Sequence, residues 1–181
     1  MERLPFAAST LGAAYEGLRL PAAVLLDNIR SLYNVGSFFR TADGAGVERL
    51  YLSGITGRPP RKEIAKTALG AEERVAWEGI DDPVALVDRL RSGHPDGTRP
   101  YEIAAIETSP RAVDLFDWQP RFPVCVLFGS EIDGLSPELL DRCDTHVRIP
   151  MLGLKHSLNV STAAGVVLYE LLRKFRQHKN S

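Results

Sequence analysis

Residues 22–44, AAVLLDNIRSLYNVGSFFRTADG, decide the fold class. The five apolar residues Ala22–Leu26 form an unbroken run, as a strand buried on both faces requires. From Val35 to Gly44 the apolar positions recur at helical spacing. The same alternation repeats downstream. Strands are predicted at Leu50–Leu52, Val75–Trp77, Glu102–Ile106, Val124–Phe128 and His146–Ile149. Helices are predicted at Lys62–Leu69, Pro83–Arg91 and Pro137–Cys143, the last two entered through Asp82 and Ser136. RPPR at 58–61 is a loop, because two prolines interrupt any ladder or helix. Val160, Ala164, Val167, Leu168, Leu171 and Phe175 share one face of a long closing helix. Ser157, Asn159 and Ser161 are its candidate caps. The pattern predicts an α/β domain, with a mainly parallel sheet and helices on both faces.

Composition narrows the class. A chain of 181 residues, 44% hydrophobic and 25% charged, can bury one substantial core. No run approaches the ~18 apolar residues that a membrane helix needs. The opening MERLPFAASTLGAAYEGLRL has no compact apolar block, so no secretory signal is expected and the location is read as cytoplasmic. Two cysteines, Cys125 and Cys143, are too few for a disulfide framework and fit a reduced compartment. Net charge is −1, but it is unevenly spread. Residues 28–66 hold seven Lys/Arg against three Asp/Glu, and the tail 169–181 holds four against one, while the middle is acidic. Two basic regions could form one face for a polyanion or could simply be solvated surface.

Three segments beyond strand ends are rich in Gly, Asn, Ser and charge, where an α/β sheet places its ligands. In 27–47, Asn34 and Arg40 lie six residues apart, with Gly36 between them near a helix start. A glycine there admits a ligand close to the backbone. An arginine on an apolar helix wants a carboxylate or phosphate, supplied by an external ligand or by an internal ion pair. In 127–144, Gly129-Ser130-Glu131 leaves a buried strand, turning around an acid that holds a ligand or caps a neighbouring helix. In 149–161, Ser157-Leu158-Asn159 opens the long helix, where free amides suit an anion. Simple capping explains one of Ser157 and Asn159 more readily than both.

Competing chemistries have weaker support. Cys143 and His146 have ligand-like spacing, but neither they nor His94, His156 and His178 form the second pair that a zinc site needs, so no metal is expected. His156 beside Ser157 lacks a G-x-S-x-G elbow. DNIRSLYNVG lacks the glycine fingerprint of a dinucleotide enzyme.

NVGSFFRTADGAGV, LFGSEIDGL and IPMLGLKHSLNVSTAAGV, in this order and spacing, resemble the three signature motifs of the SpoU/TrmH family of SPOUT methyltransferases. The resemblance covers about Ala22 to Leu172. It implies an α/β fold with a C-terminal deep trefoil knot, bent S-adenosyl-L-methionine held in the knotted loops, and a homodimer with the site near its interface. One domain would span 1–181, with 1–20 as an N-terminal extension and 120–175 as the knotted cofactor part. The implied reaction is methylation of an RNA ribose 2′-hydroxyl, with tRNA slightly favoured over rRNA. The alternatives are a non-catalytic RNA-binding relative and a base methyltransferase. Carried over residue by residue, Asn34, Arg40, Glu131, Ser157 and Asn159 match catalytic positions. Gly129, Ile149, Met151 and Leu158 match cofactor positions, and Thr108 would line the same pocket. Arg40 would grip phosphate, while Glu131 would hold Arg40 or the motif loops. RNA would lie along Arg30, Arg58, Arg61, Lys62 and Lys66, with the basic tail.

Overall fold

A computed structural model describes residues 19–93 and 99–179. His94 and nearly all of the expected N-terminal extension lie outside the described residues. Seven strands, β1 (Leu20–Asp27), β2 (Val47–Ser53), β3 (Ala76–Ile80), β4 (Glu102–Ile106), β5 (Val113–Asp114), β6 (Val124–Phe128) and β7 (Thr145–Arg148), form one sheet. Its order is β3-β2-β1-β6-β4-β7-β5, and every neighbouring pair is parallel. The helices are α1 (Leu32–Ala45), α2 (Lys62–Ala68), α3 (Pro83–Ser92), α4 (Pro137–Arg142) and α5 (Val160–Lys179).

Strand alternation sorts the core into two layers. Ala22, Val24 and Leu26 of β1 face α1, α2 and α5, while Ala23 and Leu25 pack with residues of α3 and α4. Phe38 of α1 meets Phe128 of β6 edge to face, with ring centroids 5.1 Å apart. Both rings are buried, and each contributes roughly 1.5–3 kcal/mol by leaving water. That contact seats α1 over the strand that carries the Gly129 turn. Among the described residues no helix is long and apolar enough to cross a membrane.

The central strands match the sequence reading, and the edges depart from it. β2 starts at Val47 rather than Leu50: exposed Glu48 and Arg49 interrupt the apolar run, and the pairing with β1 shifts register between Val47 and Arg49 before it resumes. β3 runs to Ile80 rather than stopping at Trp77, since an edge strand needs little burial. The two-residue β5 has no apolar signature and was not expected.

Gly36 has a different purpose from the one its sequence context suggested. A Cβ there would lie 2.1 Å from Thr67 Oγ1 and 2.3 Å from the Ile64 carbonyl oxygen. The glycine lets α1 approach the backbone of α2, which fills the space beside it. Part of the basic tail is likewise committed within the fold. Lys174 is buried, its ammonium donating to the carbonyls of Leu115 (2.8 Å), Phe116 (3.2 Å) and Trp118. Arg173 pairs with Glu170 at 2.7 Å. Lys174 lies on the apolar face of α5, so its charge is satisfied within the fold and is not available to a polyanion.

Candidate active site

A cavity of about 510 Å³ opens beyond the carboxyl ends of β4, β6 and β7. This is where the strand order departs from chain order, and parallel sheets place their ligands at such points. The turn after β6 forms one wall. Ser130 Oγ accepts the N–H groups of Ile132 and Asp133, and the Gly134 N–H donates to the Ser130 carbonyl at 2.9 Å. Gly134 has φ +69°, a left-handed conformation that favours glycine. Gly129 crosses the same turn so closely that a Cβ would fall 2.3–2.5 Å from backbone atoms of Gly134 and Leu135.

The loop from Ile149 and the start of α5 form the facing wall. Asn159 Oδ1 accepts from the N–H of Ser161 (2.9 Å) and of Thr162 (3.3 Å), which caps the helix. Ser157 takes no part in the cap and stands exposed on the cavity wall. Capping therefore accounts for one of the two polar residues and leaves the other to face the cavity.

The first segment joins through a chain of side chains. Asn34, in the first turn of α1, donates from Nδ2 to Glu131 Oε1 at 2.9 Å. Its Oδ1 accepts from Asn159 Nδ2 at 3.3 Å. Glu131 Oε2 accepts the Arg30 N–H at 3.4 Å. Residues 97 and 125 positions apart are thus tied at one rim. Glu131 holds the motif loops together, and its partners do not include Arg40.

These bonds tune the acid. Partial burial opposes ionisation of Glu131, but the Asn34 amide and backbone N–H groups at residues 30, 31 and 131 outweigh it, leaving the pKa below its ordinary 4.5. With a depressed pKa, the carboxylate's contribution is present above the unfolded-state value and is lost as pH falls through the folded value. The Asn34 side-chain amide resonances are accordingly expected to titrate with a midpoint below 4.5 in an NMR pH series. A midpoint at or above 4.5 would contradict the bonding described.

All five expected cofactor residues, Thr108, Gly129, Ile149, Met151 and Leu158, line the cavity, as do Glu131, Ser157 and Asn159. Asn34 reaches its rim through hydrogen bonds. Arg40 does not line it. It is exposed on α1, and its guanidinium makes no hydrogen bond or ion pair with a described residue. The internal ion pair that an arginine on this helix could have made is therefore absent among the described residues. Glu107 and Arg148 also line the cavity and were not anticipated. The available signal for Glu107 was an acid immediately after a buried strand.

The expected RNA-facing residues divide. Arg30, Arg61, Lys62 and Lys66 are exposed, with Lys66 Nζ 5.7 Å from the Tyr33 ring centroid. Arg58 is half-buried, donating to the Leu52 and Ile80 carbonyls and pairing with Asp81 at 3.5 Å. It covers the ends of β2 and β3 with part of its guanidinium still facing solvent. Cys143 and His146 are each bonded to protein groups: the thiol donates to the Leu139 carbonyl, and the ring contacts Ser109 Oγ at 2.8 Å.

A family model described as the SpoU rRNA Methylase family matches residues 21–169. A Staphylococcus haemolyticus protein named for the TrmH family of tRNA/rRNA methyltransferases is 32% identical over 158 residues, which is 87% of this chain and 61% of that protein. The chain thus spans about three fifths of the curated relatives it matches. The SpoU methyltransferase AviRb of Streptomyces viridochromogenes, solved in complex with AdoMet, superposes with a TM-score of 0.78 at 29% identity. That match covers 88% of this chain and 60% of AviRb. A chain solved for the 2-OH methylation of C/U34 on tRNA superposes with a TM-score of 0.73 at 27% identity, over 86% of this chain and 97% of that one.

Proposed function

The chain belongs to the SpoU methylase family, and from that premise we propose that it is an S-adenosyl-L-methionine-dependent RNA methyltransferase acting on a ribose 2′-hydroxyl, with tRNA favoured over rRNA. One observation carries the reading. Three separate segments converge on one cavity, joined by the Asn34–Glu131 and Asn34–Asn159 hydrogen bonds. The relative solved with AdoMet supports the cofactor, and the one concerned with 2-OH methylation on tRNA supports the ribose and the RNA class.

The cavity suits an adenosyl group. Its volume lies in the range of small-molecule sites, and Phe128, Ile149, Leu158 and Ala163 offer apolar surface for a flat base. Gly129 and Gly134 also line the cavity, where their backbone groups would meet the polar edges of a base. When bound, the cofactor supplies an electrophilic methyl group on a sulfonium. The chain's own residues then orient and polarise. In this reading Ser157 and Asn34 orient the nucleophile, and Glu131 and Asn159 keep Asn34 in place. A guanidinium is a poor base, so Arg40 is not given the task of removing the proton. It grips the neighbouring phosphate and stabilises charge developing on the ribose oxygen.

Arg40 stands off its own chain's cavity, which supports a homodimer in which one copy completes the other's site. The trefoil knot, with 120–175 as its cofactor part within a single methyltransferase domain, is proposed from the family resemblance, as is a cytoplasmic location. RNA would approach along Arg30, Arg61, Lys62 and Lys66, whose phosphate contacts would make affinity salt-dependent.

Nucleoside mass spectrometry of tRNA and rRNA from a deletion strain tests the proposal. One 2′-O-methyl nucleoside is expected to disappear from tRNA and to return when the purified protein and S-adenosyl-L-methionine are supplied. Loss of a base methylation instead, or of no mark, would refute the ribose assignment.

A further inference from the structure

Glu107 lies outside the three motif segments, yet it lines the cavity. It directly follows β4, which stands between β6 and β7 in the sheet, so Glu107 sits between the Gly129 turn and Ile149. Its Oε1 accepts the Thr108 N–H at 3.1 Å, and its Oε2 accepts the Leu135 N–H at 3.4 Å, near the limit for a hydrogen bond. No cation among the described residues pairs with it. A carboxylate has about four acceptor sites, so two backbone donors leave capacity unused. Gly134 helps keep the carboxylate where it is, because a Cβ there would come within 2.5 Å of Oε2.

An acid at the carboxyl end of a buried parallel strand, beside a nucleoside-sized cavity, is well placed to accept both hydroxyls of a ribose. The alternative targets in the same cofactor are its cationic methionine groups. Gly129 and Ile149, read above as contacts of the adenine base, flank Glu107 on both sides, so a sugar attached to that base would lie within its reach. We propose that Glu107 is a cofactor-binding residue that accepts hydrogen bonds from the ribose diol of the adenosyl group. This inference rests on the methyltransferase reading of the cavity.

Calorimetry on the full chain tests it, with S-adenosylhomocysteine and its 2′-deoxy and 3′-deoxy analogues as probes and with a Glu107→Gln variant. A charged acceptor holding a hydroxyl accounts for roughly a tenfold or greater difference in affinity. Wild type should therefore bind at least one deoxy analogue about tenfold more weakly than the parent compound. Glu107→Gln should lose about the same factor for the parent and little more for that analogue. Equal weakening of all three probes by the variant would make Glu107 only a brace for the Leu135 turn and overturn the proposal. So would an unchanged variant. Wild type binding both analogues as tightly as the parent would overturn it without any variant. Failure of wild type to bind S-adenosylhomocysteine at all would instead refute the cofactor assignment of the cavity, and this inference with it.

Discussion

Replacing Arg40 with alanine is expected to lower methyl transfer to RNA by about a hundred- to a thousandfold, in the range seen when one preorganised charge-stabilising donor is removed. Thermal unfolding and cofactor affinity should stay at wild-type values. The separation follows from the structure. Arg40 is exposed, has no hydrogen-bonded or ionic partner among the described residues, and does not line the cavity, so its removal breaks nothing in the folded chain. Arg40→Lys keeps the charge but loses the planar fork, and should recover only a small part of the rate. Single-turnover assays with saturating cofactor measure both variants. Near-full turnover by the lysine variant would exclude bidentate phosphate gripping, and a fall in cofactor affinity equal to the fall in rate would return Arg40 to its own chain's cavity.

Gly129→Ala should have the largest effect on cofactor binding of any single methyl group added to the described chain. The added Cβ would meet Gly134 C at 2.3 Å, Leu135 N at 2.4 Å and Gly134 O at 2.5 Å. All three are backbone atoms, so no side chain can rotate away, and the turn itself must move. Overpacking of this kind costs about 1–3 kcal/mol of stability. The displaced turn also carries Glu131, and with it the link to Asn34. Affinity for S-adenosylhomocysteine is expected to fall by two orders of magnitude or more, a loss of about 2.7 kcal/mol. Gly153→Ala and Gly165→Ala are the controls, since a Cβ at either position meets nothing within 4 Å. Both should bind as wild type does. Calorimetry and urea unfolding separate the two effects, and a Gly129→Ala protein that binds normally would disprove the crowding argument.

The resemblance of the motifs to a family located the cavity residues, but it did not show how they are joined. The resemblance leaves Glu131 to hold either Arg40 or the motif loops, and in the structure it holds the loops through Asn34 and the Arg30 backbone. Asn159 and Ser157 looked alike as helix-start polar residues. They separate in space into a cap that also reaches Asn34 and a free hydroxyl. In the sequence Arg58 stands with Arg61, Lys62 and Lys66 in one basic stretch. Its guanidinium is held by carbonyls at the ends of β2 and β3.

Periodicity in the chain was enough to determine the α/β class, the buried central strands and the long amphipathic helix, because each depends on local spacing of apolar side chains. Even the acidic start of α3 was readable, as Asp82 does cap it. Strand order, the edge strand β5, the burial of Lys174 and the purpose of Gly36 were decided only by tertiary structure. Each depends on what a distant segment brings alongside, and a polar group or a glycine looks the same in sequence whether its neighbour is water, a helix backbone or a carbonyl cluster.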